Sequence, residues 1–240
     1  MTNISEHAVI IGGTSGIGLA TARRLVGQGM KVTIAGRDKD RLAAARDALS
    51  GNAEALILDA ADAAQVGDFF KAIGAFDHLV LALGSGRGIG AFATLDLAQV
   101  RRGFEEKVWP HLSCAQAALP TIRKDGSITF LSAVSAQMAA PGTVGLAAAN
   151  GALAIVTPIL AAELRPLRVN AVSPGVVDTP WWDFLDAGQR QAAFANYAGK
   201  SPVGRVGAPD DIAKAIAFLI SDSFMTGHVL TCDGGLRLAA

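Results

Sequence analysis

Short runs dense in valine, isoleucine and leucine alternate with longer stretches of helical pattern from one end of the chain to the other, and this alternation limits the fold more than any other feature. The runs at 7–12, 31–36, 53–59, 78–83, 127–132, 168–173 and 228–232 read as strands, and 17–28, 39–49, 63–73, 98–119, 142–164 and 208–221 as helices. The strands show little polar alternation, as expected where both faces of a sheet are covered. Strands joined through helices require right-handed crossovers and a parallel sheet, so the chain is expected to be an α/β protein, a doubly wound parallel sheet of seven strands. With 240 residues and no repeat, low-complexity segment or linker, residues 1–240 are expected to form one domain. The least regular stretch, 176–207, holds two tryptophans, the only tyrosine and two prolines, and reads as a functional loop.

The first strand runs into Gly12-Gly13-Thr14-Ser15-Gly16-Ile17-Gly18, and a helix follows. Gly12 permits a sharp turn, Gly16 a close approach to a pyrophosphate, and Gly18 close packing of helix on strand. The free amides and positive end of the helix would face the phosphates. A glycine loop placed between a strand and a helix near the N-terminus points to a Rossmann-like dinucleotide site. In an NAD-binding fold an acid ends the second strand; here Gly36 takes that place and Arg37 follows. A guanidinium suits a 2′-phosphate, so NADP(H) is favoured over NAD(H). Asp38 competes for the acid's role but fits better as the cap of the next helix.

Charge narrows the partners. Lys plus Arg equal Asp plus Glu, at 21 each, so electrostatics give no reason to expect nucleic acid. Residues 138–162 are nearly uncharged, yet Pro141, Asn150 and Pro158 interrupt them within a regular strand–helix order. A helix buried between the sheet and a partner subunit explains them better than a membrane span. Cys114 and Cys232 have no metal or redox spacing, and no metal is expected. The N-terminus lacks the pattern of a secretory leader, and a cytoplasmic location is expected.

Further motifs resemble the short-chain dehydrogenase/reductase family along nearly the whole chain: the G-x-x-x-G-x-G loop, Asp59 after the third strand, the run from Val169 to Pro180, and Cys232-Asp233-Gly234-Gly235. The resemblance implies an oxidoreductase acting on a small carbonyl, alcohol or related substrate, with a homodimer or homotetramer as the assembly. It implies a cofactor site of Gly12, Thr14, Ser15, Gly16, Ile17, Gly18, Arg37, Asp59, Ala60, Gly84, Pro174, Gly175, Val177 and Thr179. Asp59 would meet the adenine, and Val177 and Thr179 the nicotinamide carboxamide.

The family's catalysis uses an Asn, a Ser, and a Tyr and Lys four apart on one helix face, and here that set is broken. Leu146 and Asn150 stand at the Tyr and Lys positions. Ala133 falls at the serine, with Ser132 adjacent, and Phe104-Glu105-Glu106-Lys107 ends at the asparagine position. Tyr197 is the only tyrosine, and Ser201 rather than lysine lies four residues beyond it. Lys107 and Asn150 exchange the family's Asn and Lys, so one cation and one amide are kept. Lys107, Ser132 and Asn150 are the candidate catalytic residues of a rebuilt site. Drift after loss of the tyrosine explains the same changes, and would leave a non-catalytic NADP(H)-binding sensor or scaffold subunit. Ser135 and His111 are further polar candidates with ordinary structural roles open to them, and Trp181 and Trp182 either close over the nicotinamide or pack the loop onto the body.

Overall fold

The computed structural model describes residues 6–49 and 53–239; residues 1–5, on which the leader expectation bears, lie outside the described residues. Seven parallel strands form one sheet in the order β3-β2-β1-β4-β5-β6-β7. They are β1 (His7–Ile11), β2 (Lys31–Gly36), β3 (Ala53–Ile57), β4 (Phe76–Leu81), β5 (Ile122–Leu131), β6 (Arg168–Pro174) and β7 (Val229–Cys232). The order reverses between β1 and β4, so the crevice beyond their C-terminal ends is where an open α/β sheet takes its ligand.

Helices α1 (Gly16–Gly27), α2 (Lys39–Leu49), α3 (Ala63–Ile73), α4 (Leu97–Gly103), α5 (Trp109–Ala118), α6 (Val144–Glu163), α7 (Ala187–Lys200) and α8 (Pro209–Ser221) complete the domain. Two apolar cores form, one on each face of the sheet. Val9, Leu79, Phe130 and Val169 face one with Phe70, Cys114 and Leu153. Ile10, Ile34, Val80 and Val172 face the other with Leu25, Ile216 and Leu219. Alternate residues of the central strands therefore enter opposite cores, which is why these strands carry no polar face.

Two helical regions differ from the sequence reading. The helix expected over 98–119 is α4 and α5 joined by a π turn, Phe104–Val108. Pro110 lies at the start of α5, lacks an amide hydrogen and would crowd the carbonyl four residues before it, and the wider turn relieves that conflict. The stretch 176–207 contains α7, whose N-terminus is closed reciprocally by Asp186 and Gln189. Helix α6 is long and apolar enough to cross a membrane, with mean hydropathy 1.8. Its Gly145, Asn150, Leu153, Thr157 and Ala161 are buried, whereas Ile155 and Ile159 on the outer side are more than half exposed.

Candidate functional site

The glycine loop is held open by its own close contacts. A Cβ added at Gly18 would lie 2.1 Å from the Gly12 carbonyl oxygen, so the turn and the start of α1 can approach this closely only with glycine. Ser15, the N-cap of α1, makes no side-chain cap hydrogen bond, and the first-turn amides are left for a ligand. This cradle fits a dinucleotide pyrophosphate.

Beyond β2, a Cβ at Gly36 would lie 2.8 Å from Thr14 Cγ2, so an acid at this position would collide with the loop. Asp38 caps α2 by accepting from the Arg41 amide at 2.9 Å, and its other carboxylate oxygen lies 3.8 Å from Arg41 Nε. Arg37 is exposed. Arg41 lines the cleft, a second guanidinium that the sequence reading did not single out although it stands only four residues further on.

One cavity of about 740 Å³ runs from the glycine loop to α7. Of the anticipated cofactor residues, Gly12, Ser15, Gly16, Ile17, Gly18, Gly84, Pro174, Gly175, Val177 and Thr179 line it. Thr14, Arg37, Asp59 and Ala60 stand outside its wall. Lys107, Ser132 and Asn150 also line it, together with Ala133 and Leu146.

Lys107 projects from the π turn and is 6% exposed. Among the described residues its ammonium reaches only the Ser132 carbonyl, at 3.5 Å, the long limit of a hydrogen bond. No carboxylate pairs with it among the described residues, and burial lowers its pKa to about 7. Below it, the buried His111 ring meets two carbonyl oxygens, Lys107 at 2.7 Å and Leu81 at 2.9 Å. Two acceptors favour the protonated ring, but burial and the neighbouring Lys107 charge prevail and lower its pKa to about 3. A neutral ring carries one N–H, so His111 donates to one of these carbonyls at a time while lying against both the Lys107 turn and the end of β4.

The other polar candidates are engaged. The Ser132 hydroxyl donates to the Asn150 carbonyl at 2.9 Å. Asn150 Nδ2 donates to Ser135 Oγ at 3.0 Å and to the Leu146 carbonyl at 2.9 Å, while its buried Oδ1 has no partner.

The far wall comes from the segment after β6. Trp181 Nε1 donates to the Ser85 carbonyl at 3.2 Å, and Trp182 Nε1 to the Val177 carbonyl at 3.1 Å. Arg190 of α7 clasps the segment by donating to Asp178, Asp183 and the Thr179 carbonyl, and its guanidinium lies 5.4 Å from the Phe194 ring centre. Tyr197 belongs to this wall, its ring 6.0 Å from that of Trp182, and so the only tyrosine reaches the cleft from α7 rather than α6.

The parallel sheet, the glycine cradle and the cleft beyond β1 and β4 describe a dinucleotide-binding α/β protein. The sequence matches the family described as Enoyl-(Acyl carrier protein) reductase over residues 12–237, and the chain belongs to the short-chain dehydrogenase/reductase family. It is 33% identical to cis-4-hydroxycyclohexanecarboxylate dehydrogenase of Sinomonas cyclohexanicum, over 95% of each chain. It is 31% identical to the 3-oxoacyl-(acyl carrier protein) reductase FabG of Thermotoga maritima, over 95% of this chain and 96% of that one. Among solved structures, a small-chain dehydrogenase in complex with NADPH superposes with a TM-score of 0.83 at 32% identity, covering 98% of this chain and 99% of the other.

Proposed function

We propose that this protein is an NADP(H)-dependent oxidoreductase in which Lys107 replaces the family's tyrosine as the cationic proton donor to a small carbonyl, alcohol or related substrate. The observation that carries the reading is a buried ammonium without a counter-charge in the wall of the glycine-loop cleft. The dinucleotide supplies or accepts the hydride. Gly12 to Gly18 and the start of α1 hold its pyrophosphate, and Arg37 and Arg41 hold the 2′-phosphate, where Gly36 and Asp38 offer no free acid. Lys107 stabilises negative charge on the substrate oxygen and gives it a proton, a role open to an amine whose pKa lies near neutrality. Asn150 holds Ser135 and the Leu146 carbonyl, and Ser132 holds the Asn150 carbonyl, so both support the floor rather than touch substrate. That engagement also favours a second reading, a non-catalytic NADP(H)-binding sensor or scaffold. The exposed Ile155 and Ile159 of α6 support a homo-oligomer, and the two unpaired cysteines fit a reduced cytoplasm.

Titrating NADPH and NADH into wild type, Arg37→Ala and Arg41→Ala tests the cofactor assignment. NADPH should bind wild type more tightly by about tenfold or more, and each variant should lose most of that preference. Equal affinity of wild type for both dinucleotides overturns it. NADPH oxidation against activated carbonyls, quinones and imines then separates enzyme from sensor. Lys107→Met should lower turnover by about 10²–10⁴-fold with NADPH affinity retained. Turnover unchanged in this variant refutes the role of Lys107, and no turnover by wild type favours the sensor.

A further inference from the structure

The cleft carries a selective chemistry beyond the cofactor. Among the described residues its only charged lining residues are Arg41 and Lys107, and no aspartate or glutamate lines it. Three of its hydroxyls are engaged: Ser132 donates to the Asn150 carbonyl, Ser135 accepts from Asn150 Nδ2, and Thr143 donates to the Ala140 carbonyl at 2.8 Å. A cationic substrate would find no counter-charge here.

The outer wall is aromatic and braced, with the Trp181 ring nearly perpendicular to those of Trp182 and Phe184. The Trp181 and Trp182 rings meet edge to face at 4.8 Å, and Phe184 contacts both at 5.3 and 5.9 Å. Phe194 supports Trp182 from behind at 5.5 Å. Both indole N–H groups are spent on backbone carbonyls, which fixes the rings and leaves apolar surface toward the cavity. A Cβ on Gly84 or Gly86 would reach only ordinary contact with the Trp181 indole, at 3.6 and 3.7 Å, so this ring rests on bare backbone. Met138, Leu146, Ile89 and Leu185 complete the apolar lining.

Resting on the function proposed above, we infer that the substrate end takes a planar, conjugated carbonyl compound, an aryl ketone or quinone, seated against the Trp181 indole of this aromatic wall with its oxygen at Lys107. Hydride from the reduced dinucleotide adds to the conjugated carbonyl system, and the π-electron pair moves onto oxygen. The dinucleotide is thereby oxidised by two electrons and the substrate reduced by two. Lys107 gives the oxygen its proton and recovers one from solvent. A conjugated acceptor spreads the transient charge over its rings, which suits a site that offers a buried ammonium and apolar walls. Trp181 acts here as a specificity residue.

Calorimetric titration of the NADP⁺ complex with 2-naphthol, a flat probe that cannot accept hydride, against saturated decahydro-2-naphthol tests the seat without turnover. The flat probe should bind about tenfold or more tightly, given roughly 1–3 kcal/mol for stacking one planar ring system on an aromatic side chain. Trp181→Ala should erase that preference with NADPH affinity unchanged, which also reports an intact fold, and Trp181→Phe should keep most of it. Equal binding of the two probes, or a preference that survives Trp181→Ala, overturns the proposal. In parallel, 1,4-naphthoquinone should exceed cyclohexanone in kcat/KM by about tenfold or more. A flat-probe preference without turnover of any acceptor defeats the reductase reading and leaves the seat standing. Cyclohexanone turned over as well as naphthoquinone, without that preference, defeats the seat and leaves the reductase.

Discussion

Replacing Lys107 with methionine should make this protein more stable near neutral pH while weakening its chemistry. The amine is 6% exposed, has one long contact to a carbonyl and no carboxylate partner, and burial alone lowers its pKa from 10.5 to about 7. At about 1.4 kcal/mol per pKa unit, that difference amounts to roughly 5 kcal/mol of destabilisation when the group is charged in both folded and unfolded chains. Between pH 7 and 10.5 the unfolded chain binds more protons than the folded one, so stability rises with pH across this window. The cost is therefore complete below about pH 7 and vanishes above about pH 10.5. Methionine has a similar length and no charge to desolvate, so Lys107→Met should recover about 2–4 kcal/mol at about pH 6.5. For a chain of this size that raises Tm by about 5–10 °C. At about pH 9.5 the gain should fall to about 1 kcal/mol. Urea unfolding and thermal melts of both proteins at the two pH values measure it. A variant less stable than wild type at the lower pH, or a gain of equal size at both, would refute the picture of an uncompensated buried ammonium.

Two further outcomes follow from the geometry. Gly18→Ala places a Cβ where the Gly12 carbonyl lies 2.1 Å away, so the loop must open; calorimetry should show dinucleotide affinity falling by about tenfold or more, and an unchanged affinity would show the cradle to be irrelevant. Light scattering at micromolar concentration should find a dimer or tetramer, and Ile155→Glu with Ile159→Glu on the exposed face of α6 should shift it toward monomer; a wild type that is monomeric throughout removes this interface.

The central strands were readable because both of their faces are buried. Val9, Ile10, Leu79 and Val80 leave no polar alternation to confuse the period. Strand edges were less readable. β5 starts at Ile122 rather than 127, through an irregular stretch of pairing with β4 whose Arg123, Lys124 and Asp125 are exposed and look like loop. Helix α7 buries no residue completely, so it carried little apolar signal, and only the Asp186–Gln189 pair could have marked its start. The π turn had a visible cause in Pro110, but which way Lys107 would point depended on tertiary packing that no local pattern encodes. For the same reason the sequence named Ser132 and Asn150 as candidates but could not show that the Ser132 hydroxyl bonds to the Asn150 carbonyl and Asn150 Nδ2 to Ser135. Tyr197 was set aside because it lacks the lysine spacing, and only the path of the chain after β6 returns it to the cleft wall.

The π turn has a consequence for how such a cleft can change over generations. His111 fastens the turn to the end of β4 from its C-terminal side, whereas α4 and the loop before it approach from the other. Each residue added to or removed from an α-helix rotates what precedes it by about 100°. An insertion or deletion upstream is therefore taken up as a turn of α4 and its loop about the entrance, while Lys107 keeps its bearing on the β4 end. The molecule is divided into a fixed bed and a replaceable doorway, and a lineage can revise what enters while Lys107 stays where it is.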